Sequence, residues 1–328
     1  MKNSIIAKLF SALALFFVAT GCSDNKTADT IAMERLDRAV AVYGNTDVPK
    51  RLAMIDSLGD YLAPYLNIVG VDTLCDSTMQ MVSRSRMVEM FSPAVDSVFP
   101  NMDNCAAAIA GATARAADLN VTLPDYRYAT VVWGKDKSVI VSDSIMFIAL
   151  NHYLGPDHDA YSGWPDYMRV NKRPEMIPYD VVEVRLALHC PFKADPQGNT
   201  LLSRMLYDGA LAYLKMQLIP DAAENMALGF SAEQLKDIAE NESFMWNKLV
   251  NGKMLYSTDA DLAAHLLDPA PASSPISPDA PGRAVRYIGY RIVKSYMENN
   301  DSQPLDALLS PGFYNDRNVL RKAAYNPK

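Results

Sequence analysis

Pro178-Tyr179-Asp180-Val181-Val182-Glu183-Val184-Arg185-Leu186-Ala187-Leu188-His189 is the stretch on which the fold turns. Read with a period of two, it sets Val182, Val184, Leu186 and Leu188 against Glu183, Arg185, Ala187 and His189, the alternation of a half-buried strand. Read as a helix, it places its proline in the first turn, where a missing N–H costs nothing. The alternation and the proline pull in opposite directions, so the residues alone leave both open.

The flanking sequence sets the wider architecture. Upstream, Tyr126 to Trp133, a Gly134-Lys135-Asp136-Lys137 turn and Ser138 to Asp143 read as a hairpin that leads into a third apolar run, Ile145 to Leu150. Their β-branched and aromatic content supports strands. His152 to Pro178 is irregular and dense in Tyr, Pro, Gly and Asp. Loops of that composition leaving a sheet are common places for binding sites.

Helical patterns dominate elsewhere: Ile31 to Tyr43, Val48 to Tyr65, Ser77 to Phe91 and Met102 to Ala117 before the strands, then Leu201 to Leu218, Ala232 to Asn251, Ala260 to Leu267 and Arg283 to Met297 after them. Asp268 to Pro281 holds five prolines and reads as a stiff surface loop or lid. The fold class expected is α+β, predominantly helical, with a small β-sheet and a helical N-terminal layer over 31–118.

At the other end of the chain, Lys2 and Lys8 flank an apolar run that closes in Ala19-Thr20-Gly21-Cys22. This is the form of a signal peptide over 1–21. Its end resembles the bacterial lipobox, which implies a lipid on Cys22, a polar tether over 22–30 and one globular domain over 31–328. Without Lys2 and Lys8 the formal net charge of −7 becomes −9. That balance argues against nucleic acid or anionic lipid as the main partner. Cys75, Cys105 and Cys190 remain for an oxidising compartment, with Cys75–Cys105 the preferred disulfide.

Few residues offer chemistry. Ser231-Ala232-Glu233-Gln234 has the pattern of a capping box, and the helix behind it aligns Leu235, Ile238, Ala239, Glu242, Trp246 and Leu249. Glu242 in such a stripe needs a partner, because an isolated buried charge is costly; Arg283 and Arg291 are the arginines expected to supply it. Gly289 interrupts the apolar face of the last long helix at a cost of about 1 kcal/mol relative to alanine. A close approach of another backbone would offset that. His152, Asp157, His158 and Asp159 have metal-ligand chemistry but lack the short regular spacing on a rigid element that tight zinc sites use. No metal and no cofactor is expected.

Several segments together resemble the gliding-motility lipoprotein GldB family of Bacteroidetes. They are Leu150-Asn-His-Tyr-Leu-Gly155, Trp164-Pro-Asp-Tyr167, Ile177 to Glu183, Gly229-Phe-Ser-Ala-Glu-Gln-Leu235, Asn241-Glu242 with Trp246, Leu255 to Asp259, and Pro281-Gly-Arg283 leading to Ile288 through Met297. That family is similar to a group of predicted zinc-dependent proteases with a His-Glu-x-x-His helix. Matching Glu183 to the glutamate of that motif puts the two histidine positions on Val182 and Leu186, neither of which binds zinc. The resemblance therefore implies a degenerate zincin-like domain over 119–328, with Tyr179 to His189 a helix and no catalytic residues.

What the resemblance implies for function is an accessory or scaffold of an envelope machine, held at the outer membrane by its lipid and working with envelope protein partners. In relatives that machine is tied to gliding motility and type IX secretion. A vestigial cleft lined by Tyr153, Tyr179, Glu183, His189, Glu242, Trp246, Tyr256 and Arg283 is expected to take a peptide segment or glycan. Two rivals stand beside this reading. One is a metal-dependent hydrolase in which His189, Glu183, Glu242 and His152 converge. The other is a carbohydrate-binding lipoprotein using the loop from Tyr153 to Tyr167, favoured by exposure of Trp164 and disfavoured by its burial.

Overall fold

A computed structural model describes residues 31–193, 195 and 199–327. The expected signal peptide, lipidation site and tether lie outside the described residues. The chain enters through a two-residue strand, β1 (Met33–Glu34), and the helix α1 (Leu36–Tyr43). Next come α2 (Val48–Val69), capped by the Asp47 carboxylate and closed by Gly70 at φ 90°, and α3 (Asp76–Ser83). The helices α4 (Arg86–Val98) and α5 (Asp103–Asp118) complete this half. The single helix expected from Ser77 to Phe91 is two, because Ser85 turns its hydroxyl onto the Val88 N–H and starts a new N-terminus.

Three strands follow: β2 (Arg127–Val131), β3 (Val139–Ser142) and β4 (Ile145–Ala149). The sheet order is β1-β2-β4-β3, with β1/β2 and β2/β4 parallel and β3/β4 antiparallel. The hairpin thus joins β3 to β4 through Asp143, at φ 53°, whereas the expected pairing of the first two strands does not form. The reason lies just after β2. Asn151 bonds both the N–H and the C=O of Trp133, and the Trp133 indole donates to Lys137 O, so Gly134 to Lys137 is a fixed loop rather than a tight turn.

All five residues of β4 are fully buried, as befits a strand covered on both faces. Ile145, Phe147 and Ala149 face a smaller core with Leu36, Tyr43, Leu62 and Tyr65 from α1 and α2. Met146 and Ile148 face a larger core shared with α5 and the helices of the C-terminal half. The fold is α+β and predominantly helical, with the small mixed sheet between two helical layers.

Beyond β4 run α6 (Asp166–Arg169), α7 (Ile177–His189), α8 (Leu201–Leu218), α9 (Glu224–Leu228), α10 (Ala232–Glu240), α11 (Glu242–Asn251), α12 (Ala260–Leu267), α13 (Ala284–Glu298), α14 (Pro311–Tyr314) and α15 (Val319–Ala323). The ambiguous stretch is therefore the helix α7. The helix implied by the family resemblance forms, and the buried Arg185 accounts for the strand-like alternation: its guanidinium is fully covered, donating to Leu123 O, Pro124 O and the Thr113 hydroxyl on α5. A polar residue saturated with hydrogen bonds sits on the inner face alongside Val181, Val182 and Leu186.

The second helix that divides is the one expected from Ala232 to Asn251. Its capping box at Ser231 and Gln234 forms as expected, but Asn241 ends α10, its amide donating back to Asp237 O, and α11 begins at Glu242. At the centre of this half α8 and α13 cross with Gly209 against Gly289, the close approach that Gly289 calls for. The proline-rich segment is tied into the body by Ser273, whose hydroxyl donates to Pro281 O and accepts from Ala284 N.

Candidate functional site

Helices α7, α8 and α13 bring a set of charged side chains together beneath the sheet. Glu183 on α7 accepts from Lys215 on α8 and, at 2.8 Å, from Arg286 on α13. Lys215 and Arg286 are almost wholly buried. Burial pushes the Glu183 carboxyl up, but Arg286, Lys215 and Arg283 outweigh it and hold the group well below the usual carboxylate range. Burial lowers Lys215 to about 8 in spite of Glu183.

One turn earlier on α7, Asp180 accepts from the Tyr153 hydroxyl at 2.7 Å, and burial raises its carboxyl to about 6. Asp208 on α8 is also raised by burial, with Arg286 and Arg283 opposing. This is a neutralised interior network, in which each charge needs the others to remain ionised. Val182 and Leu186, at the positions where a zinc helix would carry histidines, are buried apolar residues.

Glu242 belongs elsewhere. It accepts from the Tyr287 hydroxyl, from Arg291 Nε at 3.1 Å and from the Tyr325 hydroxyl at 2.8 Å, so Arg291 is the arginine that meets it. Trp246 packs edge-on to Tyr325 with ring centroids 5.0 Å apart. Together these residues fasten the C-terminal segment onto α11 and α13.

A cleft of about 590 Å³ opens on the other side of Arg283. One wall is the irregular segment after β4, with Tyr161, Trp164, Met168 and Lys172; the other is the Gly229–Phe230 turn and Arg283. Met87, Met90 and Phe91 of α4 close it from below. Tyr161 is buried, its hydroxyl donating to Asn151 O, and its ring tilts against Trp164 at 5.4 Å. Trp164 is 38% exposed, with Lys172 Nζ 5.0 Å from its ring centroid.

His152 borders the cleft but is buried, with Nδ1 3.0 Å from the Ser138 hydroxyl. Burial, then Lys172, lowers it to about 3, so it is neutral at physiological pH. Arg283 is held at φ 65°, a left-handed conformation costing about 1–3 kcal/mol in a residue other than glycine. Its Nε donates to Leu267 O at 3.1 Å.

Of the eight residues expected to line one cleft, only Arg283 borders this one. Tyr153 and Tyr179 are buried, the latter's hydroxyl accepting from Ala223 N. Glu183 is in the ion network, while Glu242 and Trp246 are in the C-terminal tie. His189 is exposed at the end of α7, and Tyr256, 61% exposed, lies by a separate depression near Thr200 and Asn315. The eight are therefore dispersed over several places, and the grouping His189, Glu183, Glu242 and His152 does not form. Among the described residues no set of three or more His, Cys, Asp or Glu is placed to hold a metal ion. The expected Cys75–Cys105 disulfide is absent too: Cys75 lies against the Ser77 and Thr78 hydroxyls, while Cys105 packs against the larger core.

Residues 22–327 match the family model described as gliding motility protein GldB. The chain belongs to the GldB family. The match begins at Cys22 and takes in both cores, the ion network and the cleft. No curated protein and no solved structure matches the chain. Among the described residues no helix is long and apolar enough to cross a membrane, and the family designation is that of a lipoprotein related to gliding motility.

Trp164 and Tyr161 were legible as part of an aromatic loop. Lys135 was read only as part of a turn and Gly229 only as part of a segment shared with the family, and neither pointed to a cleft with Lys172. They meet only because the segment after β4 folds back, its Asn171 amide donating to Gly229 O at 2.9 Å.

Proposed function

We propose that this GldB-family chain is a non-catalytic accessory of an envelope machine, lipid-anchored through Cys22 at the outer membrane and working through protein partners. The observation that carries this reading is the state of Glu183. In a zincin-like ancestor that glutamate would activate a metal-bound water; here it is bonded to Lys215 and Arg286 and kept ionised, with apolar residues at both ligand positions. A carboxylate so neutralised is a poor proton acceptor. The gliding-motility connection of the family supports a role in that machinery, and the acidic balance of the chain fits a protein partner better than nucleic acid.

The test is complementation in a gliding host that lacks its own family member, scored by colony spreading. Glu183→Gln combined with Lys215→Met removes the carboxylate while leaving Arg286 a carbonyl to bond and Asp208 nearby. The accessory reading expects this double variant, present at normal level, to restore spreading, and Cys22→Ser to fail. Loss of spreading with normal amounts of the double variant would instead indicate chemistry at Glu183.

A further inference from the structure

We propose that the cleft between Trp164 and the Gly229 turn binds a short apolar peptide segment by its free C-terminal carboxylate. The charge inside it is opposite to that of the chain: Lys135, Lys172 and Arg283 line it against one acidic residue, Asp136, in a protein of net charge −7. Among the described residues Lys172 and Arg283 form no salt bridge. Arg283 hydrogen-bonds the protein only through Nε, and Lys172 Nζ lies over the Trp164 ring.

The backbone makes room for an anion beside them. Gly229 has φ +81°, and a Cβ there would stand 3.3 Å from Asn171 Nδ2 and 3.9 Å from Nη1 of both Arg283 and Arg286. Arg286 does not line the cleft and is bonded to Glu183, so Arg283 is the guanidinium open to a ligand. A guanidinium with free terminal nitrogens is suited to a carboxylate, which can accept two parallel bonds.

The remaining lining chooses the carrier of that carboxylate. Met87, Met90, Met168, Phe91 and Phe230 are flexible or aromatic apolar surfaces, the kind that repack around varied apolar side chains. Met90 and Met168 are 51% and 45% exposed. The volume is within the range of small-ligand sites and takes a few residues. A segment with only apolar side chains has its sole carboxylate at its C-terminus, so apolar walls and cations that keep free N–H groups together select a chain end. The exposure of Trp164 favours a sugar, but its ring lies against Tyr161 and the Lys172 ammonium, and Tyr161 is buried, so a single aromatic edge is left for stacking.

The inference is independent of the machine the protein serves, and is tested on the full mature chain in detergent. Calorimetric titration with N-acetyl-Leu-Phe-Leu as the free acid, as its C-terminal amide, and with amidated N-acetyl-Leu-Glu-Leu separates a terminal from a side-chain carboxylate. The acid is expected to bind at least about tenfold more tightly than either amide, a preference that weakens as salt rises. Lys172→Gln, which removes no hydrogen bond, and Arg283→Gln should each erase most of that difference; the first keeps the test sound if the second fails to fold. Equal affinity for acid and amide, no binding up to millimolar peptide, or binding only of a trigalacturonate control would overturn the proposal.

Discussion

Gly209 and Gly289 touch backbone to backbone where α8 crosses α13. A Cβ added to Gly209 would lie 2.3 Å from the carbonyl carbon of Gly289, and one added to Gly289 would lie 2.0 Å from Met205 O. No side chain can yield at either contact, because the obstacle is the neighbouring main chain. Gly289→Ala should therefore destabilise by roughly 1–3 kcal/mol or more, outweighing its gain in helix propensity. Gly59, in the middle of α2 with nothing within 4 Å of its added Cβ, is the contrast. Gly59→Ala should stabilise by about 0.5–1 kcal/mol. Urea unfolding of the two variants checks the opposite signs, and equal effects would mean the helices do not cross so closely.

Acid should act on the ion network in two steps of opposite sign. Asp180 is raised to about 6 in the fold, so between its ordinary pKa of about 4 and 6 the folded state holds the extra proton. Stability from this group rises as pH falls from 7 through that window. Glu183 is depressed, so its contribution is complete above the ordinary glutamate pKa of about 4.3 and is lost as pH falls below it. Buried His152 works against the Asp180 contribution: it is lowered to about 3, so below its ordinary pKa of about 6.5 the unfolded state takes a proton that the fold does not. Thermal midpoints should therefore change little from pH 7 to about 5 and drop steeply below 4. In Asp180→Asn the His152 contribution is less opposed, so the midpoint should fall between pH 7 and 5 while the steep drop below 4 remains; a midpoint that stays level there would assign the compensation to another group.

Breaking the network from the carboxylate side should be severe. Glu183→Gln alone leaves Lys215 and Arg286 short of a counter-charge in a buried setting, a loss of roughly 3–5 kcal/mol. The double variant with Lys215→Met should recover much of it, and chemical denaturation of single and double variants measures the coupling.

The thiols give a direct check on the redox state. Hydrogen bonds from Ser77 and Thr78 lower Cys75 to about 7, whereas burial raises Cys105 to about 11. Cys75 should react with maleimide first at neutral pH and Cys105 last. A mature chain in which neither labels until reductant is added would establish the disulfide that the structure lacks.

Much of the helical framework was open to reading. Leu201 to Leu218 and Ala260 to Leu267 match α8 and α12 end to end, since each has an amphipathic run and a side-chain cap, Thr200 and Asp259. The hydrophobic period continues across Arg84 and Asn241, so it hid both breaks; only a capping serine at Ser85 marked the first. Alternation shows which face of a strand is covered but not which strand lies beside it, hence the missed β2/β4 pairing. The helical state of α7 followed from the family resemblance, because Arg185 on an inner face reads as solvent-facing until its oxygen partners, Thr113 on α5 and Leu123, Pro124 and Asp125 after it, are known. The cleft was least legible. Lys172 and Arg283 are over a hundred residues apart and are joined only by the contact between Asn171 and Gly229.

The short strand β1 decides how a pull on the anchor would be felt. Its register pairs Met33 with Tyr128 and Glu34 with Ala129, and the next residue, Arg35, grips Asp37 and Phe99 O. With the proposed lipid on Cys22, tension would enter at the sheet edge and be shared between β2, α1 and the end of α4. The crossing of α8 on α13 and the cleft beside it lie off that path. An anchor of that kind would act like a mooring rope, loading the frame while the cleft stays slack.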